Sequence, residues 1–173
     1  MDNLKAVIES LIFISDTPIT KAGIKGILED IKEKEISSAI NNLIREYEER
    51  DGGISLREIA GGYQFRTGEA MAPWVQKLRG EKPVTLSPAA METLAVVAYR
   101  QPVMKSEIEK VRGVDVSGSL RGLLEKNLVR MMGRKNVPGR PIIYGTTRKF
   151  LETFGLNTLS DLPTLREFKE LEG

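Results

Sequence analysis

The chain has 173 residues, 40% of them hydrophobic and 29% charged, enough for one domain or two small ones with real cores. It holds no His and no Cys, which excludes Ser-His-Asp and Cys-His nucleophile systems, zinc sites of the usual ligand kind, and disulfides. The net charge of +2 hides an asymmetry: residues 1–80 carry 11 Lys+Arg against 13 Asp+Glu, residues 81–173 carry 15 against 11, and residues 100–149 carry 12 against 4.

Read in chain order, Leu4, Val7, Ile8, Leu11 and Ile12 keep a spacing of three and four, which predicts an amphipathic helix over Leu4–Ile14. Lys5, Glu9 and Ser10 interrupt the apolar residues, so the stretch does not read as a signal peptide. A Pro-containing turn follows, then a short helix, Lys21–Asp30, with Thr20 as its N-cap. A third helix is predicted over Ile36–Arg50. The period then changes to two: Ile54, Leu56 and Ile59 precede Ala60-Gly61-Gly62, and Tyr63 and Phe65 follow, the pattern of a β-hairpin. Met71, Trp74, Val75 and Leu78 predict a short helix, and Gly80 and Pro83 mark a linker. Trp74, like Tyr99, reads as a core or domain-contact residue.

The same order then repeats. At an offset of 84, Pro18, Ile19, Lys21, Ile24 and Ile27 fall on Pro102, Val103, Lys105, Ile108 and Val111. At an offset of 80, Ile36, Ile40, Leu43 and Ile44 fall on Val116, Leu120, Leu123 and Leu124, and the shift of four implies a longer turn in the first copy. The second copy predicts helices over Pro88–Tyr99, Lys105–Arg112 and Val116–Asn127, with Ser106 substituting for Met104 as a cap. Strands Val129–Arg134 and Ile142–Thr146 close it around a loop at Lys135–Arg140. Three helices and a hairpin are the winged-helix order. The expected fold is α+β, mostly helical: two winged-helix domains in tandem, residues 1–80 and 88–155, joined by a linker at 81–87. A partly mobile tail follows at 156–173, with one more helix, RKFLETFG, bridging into it.

The stretch GRKNVPGRPIIYGTT, residues 133–147, concentrates the functional signals. It is no phosphate-binding loop, because Gly133 and Gly139 are six apart and a strand follows them rather than a helix. Acidic residues such as Glu46, Glu48, Glu107 and Glu109 read as solvated helix faces, and nothing resembles a metal site, a cofactor site or an acid/base pair. DNA binding has two supports, the basic wing and the third helix of the second copy. That helix, VSGSLRGLLEKN, offers little to read base edges, and the third helix of the first copy ends in acidic residues. Lys126, Arg148 and Lys149 are the candidates for weak, non-specific DNA contact. A protein partner fits the wing better, with Arg134, Lys135, Val137, Pro138, Arg140 and Tyr144 as candidates, one face of the returning strand being core.

The motifs LSPAAMETLAVVAYRQPVMKSEIEKVRGVDVSGSLRGLLEKNLV and GRKNVPGRPIIYGTT, with AVIESLIFISDTPIT, AGGYQFRT and FLETFGL, resemble the segregation and condensation protein B (ScpB) family over nearly the whole chain. Two departures stand out: Met104 where the family more often has a capping hydroxyl, and a short tail without an acidic extension. The resemblance implies a cytoplasmic, nucleoid-associated, non-enzymatic subunit without cofactor or membrane attachment. It implies a homodimer paired through the N-terminal domain. It also implies a kleisin partner, ScpA, which links the dimer to an SMC ATPase that condenses and partitions chromosomes. The alternative is a winged-helix DNA-binding transcriptional regulator.

Overall fold

The structure, a computed structural model, describes residues 3–80 and 85–164. The described residues form two compact units, the first from residues 3–80 together with 155–164, the second from residues 85–154. Each unit is a winged helix, so the fold is α+β and mostly helical, two winged helices in tandem. Part of the expected linker, 81–84, and the tail beyond Thr164 lie outside the described residues.

The first unit runs α1 (Leu4–Ile14), α2 (Lys21–Ile27), α3 (Glu33–Glu49), β1 (Ile54–Ile59), β2 (Gly62–Thr67) and α4 (Ala72–Arg79). The Thr20 hydroxyl accepts from the Gly23 N–H at 3.0 Å and so starts α2 as its N-cap. Helix α2 stops at Ile27, three residues short of the expected end, where the Leu28 N–H closes on the Ile24 carbonyl. Ile8, Ile12, Ile24, Ile36, Ile40, Leu43, Leu56 and Tyr63 form the core. Strands β1 and β2 pair antiparallel from Ile54–Thr67 to Ile59–Gly62. Ile19 adds a bridge to Tyr63 through two backbone hydrogen bonds of 3.0 and 2.8 Å. That approach needs a glycine next door: a Cβ on Gly62 would sit 2.7 Å from the Pro18 carbonyl oxygen.

The second unit runs α5 (Pro88–Arg100), β3 (Val103–Met104), α6 (Lys105–Arg112), α7 (Ser117–Glu125), β4 (Val129–Arg134), β5 (Ile142–Thr146) and α8 (Arg148–Phe154). Its sheet has the order β3-β5-β4, all antiparallel. Val103 pairs with Tyr144 as Ile19 pairs with Tyr63, so β3 is the counterpart of the lone bridge in the first unit.

Four of the repeated pairs are core positions. Ile24 and Ile108, Ile36 and Val116, Ile40 and Leu120, and Leu43 and Leu123 are all buried. The four-residue shift between copies has a different origin from the longer turn expected. Helix α3 begins three residues before Ile36, whereas α7 begins one residue after Val116. The extra residues are thus an additional N-terminal turn of α3.

The cap of α6 also differs from expectation. The Glu107 carboxylate accepts the Met104 N–H at 2.7 Å, so a side chain three residues on serves where Ser106 was expected. Trp74 is 65% exposed and Tyr99 is 45% exposed, so neither serves the core. The start of the tail closes on the first unit's hairpin: the Ala60 N–H donates to the Leu156 carbonyl and the Gly61 N–H to Asn157 Oδ1.

The turn between β1 and β2 has positive φ at both central residues, Ala60 at 51° and Gly61 at 73°, in the left-handed region. This is the two-residue hairpin turn that favours Asn-Gly, and the alanine Cβ there is strained. Ala60→Asn is expected to raise stability by about 0.5–1 kcal/mol, seen as a higher melting temperature; a fall would show that the alanine makes contacts worth more than the strain.

Candidate functional site

The candidate surface is the wing of the second unit, the loop between β4 and β5. Two backbone hydrogen bonds shape it, Lys135 N–H to the Pro141 carbonyl and Arg140 N–H to the Val137 carbonyl, each 2.9 Å. Positive φ values at Gly139 (82°) and Arg140 (40°) turn the chain at the tip. The Arg134 guanidinium donates back to the Arg140 carbonyl at 3.1 Å, which braces the base of the loop. Arg134, Lys135, Val137, Pro138 and Arg140 are all exposed, Val137 at 40%. The loop therefore presents two apolar side chains among three cations on a hydrogen-bonded frame.

Lys135 is anchored from outside the wing. Its ammonium lies 3.5 Å from Glu107, whose other oxygen caps α6. The Met104 N–H and the Lys135 charge together hold the Glu107 carboxyl below its ordinary value of 4.5. One glutamate thus couples the start of α6 to the wing.

Tyr144 is a correction. It is 7% exposed, sits in the middle strand and pairs with Val103 on one side and Met131 on the other. Its side chain is buried, as that of Tyr63 is in the first unit, so it belongs to the core. Ile142 and Ile143 are half-buried.

The candidate DNA contacts are spread differently. Arg148 and Lys149 both pair with Glu152, at 3.4 and 3.9 Å. Lys126 is exposed at the end of α7. On α7 itself, the only arginine, Arg121, pairs with Glu125 at 2.9 Å, and the Ser117 hydroxyl donates to Asp115 at 2.7 Å. The helix that would enter a major groove therefore offers a single guanidinium, in an exposed pair with a carboxylate one turn on.

Sequence reasoning missed two surfaces. At the end of α1, Phe13 and Ile14 are 74% and 76% exposed, beside Phe65 and the Tyr47–Glu9 hydrogen bond of 2.5 Å. The sequence carries a signal for one of them: Phe13 is a large apolar residue on the face opposite the Leu4–Ile12 stripe, whereas Ile14, seven residues from Val7, reads as part of it. Met131 and Met132 are also exposed on β4, at the sheet edge next to the wing.

Among the described residues, no group of three or more acidic, His or Cys side chains is arranged to hold a metal ion. Among them, too, no helix is long and apolar enough to cross a membrane.

Two winged helices in tandem, the second with an exposed wing of apolar and cationic side chains, define a tandem winged-helix protein. The sequence comparisons give the family. The model of the segregation and condensation complex subunit ScpB matches residues 6–165, and the chain belongs to that family. Segregation and condensation protein B of Syntrophotalea carbinolica is 46% identical over 168 residues, covering 97% of this chain and 85% of the relative. A crystal structure of ScpB from Mycobacterium tuberculosis is 37% identical, covering 90% of this chain and 96% of that one, with a TM-score of 0.42. A solved dimer of an ScpB N-terminal domain complexed with ScpA peptide is 29% identical over 44% of this chain and 95% of that one, with a TM-score of 0.40.

Proposed function

We propose that the chain is a non-enzymatic accessory subunit of an SMC condensin complex, a homodimer that binds the kleisin ScpA and through it supports chromosome condensation and segregation. Membership of the ScpB family supports the reading. The observation that carries the partner site is the wing, where Val137 and Pro138 stand exposed among Arg134, Lys135 and Arg140. A kleisin segment that orders on binding would meet apolar anchors ringed by cations, which favours an acidic, partly apolar sequence. The exposed Phe13–Ile14 end of α1 supports pairing through the first unit, because large exposed apolar side chains grouped together mark association surfaces. Helix α7 carries a single arginine, which argues against base reading as the main activity.

Calorimetric titration with the central fragment of ScpA tests the reading. A Val137→Asp, Arg140→Glu double variant that stays folded and dimeric is expected to lose about 30-fold or more in affinity, the loss of at least one hot-spot anchor. Unchanged affinity would move the kleisin site off the wing. No binding by the wild type would sink the subunit reading and favour a DNA-binding regulator.

A further inference from the structure

Strand β1 buries one side chain on the side away from the core. Side chains alternate faces along a strand, so Leu56, which joins the core, and Ile59 point to opposite sides of the first unit's hairpin. Ile59 is nevertheless only 3% exposed. Its cross-strand partner, Gly62, brings no side chain to that face. The outer face of the hairpin therefore has a cover near its turn. The turn itself needs partners as well. In a two-residue hairpin turn the two central N–H groups lie outside the ladder, so those of Ala60 and Gly61 must bond elsewhere or to water.

One segment meets the turn. Helix α8 ends at Phe154, and Gly155, with a φ of 67°, turns the chain out of it. The chain then comes back to the first unit. The Ala60 N–H donates to the Leu156 carbonyl at 2.9 Å, and the Gly61 N–H donates to Asn157 Oδ1 at 2.8 Å. Both turn amides are thereby satisfied. Leu156 and Leu162 are half-buried, while Thr158, Ser160 and Asp161 are exposed, so the segment turns apolar side chains inward and polar ones out. It also holds its own shape. The Asp161 carboxylate accepts the Asn157 N–H at 2.8 Å and the Thr158 N–H at 2.9 Å. Asp161 thus fixes the residue whose side chain reaches the hairpin.

We infer that residues 155–164 are a releasable strap, closed over the outer face of the first unit's hairpin, that ties down the outgoing end of the second unit. The chain enters the second unit from the first and, through the strap, comes back to it, so the second unit is held at both of its ends. Independent motion is the default for two units joined by a single tether, and a second attachment restricts it. Release is within easy reach, because the hold consists of two hydrogen bonds and a few half-buried side chains on a short segment without a long helix. The strap therefore switches the second unit between a held and a loosely tethered state without touching its wing. This device stands independently of the partner reading above.

The test uses the full chain, with Leu156→Asp and, separately, an Asn157→Ala, Asp161→Ala double variant. Wild-type amide exchange at Ile40 and Leu43, buried on α3, establishes that the first unit stays folded in both. In the wild type the Ala60 and Gly61 amides are expected to exchange about tenfold or more slowly than those of an open hairpin turn. Each variant is expected to remove that protection. Nuclear spin relaxation is expected to show the second unit of each variant tumbling faster, with the first unit unchanged. Unprotected Ala60 and Gly61 amides in the wild type overturn the strap, and so does protection that survives both variants. Lost protection with unchanged tumbling of the second unit overturns its role as a tether.

Discussion

Ile40→Ala and Leu120→Ala are each expected to destabilise the protein by about 2–5 kcal/mol, the usual cost of emptying a fully packed aliphatic site. The two residues occupy the same position in the two copies, 0% and 4% exposed, on the third helix of each unit. A loss of 2 kcal/mol lowers the melting temperature of a domain of this size by roughly 8–16 °C. Ile27→Ala and Val111→Ala supply the control. They too are a matched pair in the repeat, yet they are 56% and 44% exposed, and each is expected to change stability by no more than about 0.5 kcal/mol. Thermal and urea unfolding of all four variants would measure this. If Ile40→Ala cost no more than Ile27→Ala, the assignment of the shared core would be wrong.

That pair of pairs shows what the sequence could and could not carry. The internal repeat was legible because burial constrains the same positions in both copies, and Ile24, Ile36, Ile40 and Leu43 recur as Ile108, Val116, Leu120 and Leu123. Ile27 and Val111 recur as well, but each lies in the last turn of its short helix, where the surface begins. Matching letters cannot separate a core position from an exposed apolar one three residues on. Helix ends carry the same limit. Glu107 reaches back to the Met104 N–H, a contact that depends on a side-chain rotamer, while a local scan for hydroxyls points to Ser106. Tyr144 reads as half of an alternating strand, and alternation alone does not say which of the two faces is the packed one. The wing itself was legible, since glycines, prolines and cations between two strands leave the chain little else to form.

Gln101→Leu is expected to cost about 2–4 kcal/mol, because it leaves a mostly buried backbone N–H and a hydroxyl without their partner. Gln101 sits where AYRQP ends α5, and YGTT supplies the other side. Its amide nitrogen donates to the Ala98 carbonyl at 3.1 Å and to the Thr146 hydroxyl at 2.9 Å. Its amide oxygen accepts the Thr146 N–H at 2.8 Å. Thr146 is only 8% exposed, so water cannot easily replace these bonds. The neighbouring glycine belongs to the same arrangement, since a Cβ on Gly145 would come 2.7 Å from the Gln101 oxygen and closer still to the Met132 sulfur. The residues that mark the second unit so strongly in the sequence therefore clamp β5 to α5, and the wing that β5 returns from inherits its position from that clamp. A double-mutant cycle with Thr146→Val separates the clamp from plain packing. A coupling of about 1 kcal/mol or more between the two substitutions is expected for groups in one network. Strict additivity, together with unchanged amide exchange at Thr146, would show that the glutamine only fills space.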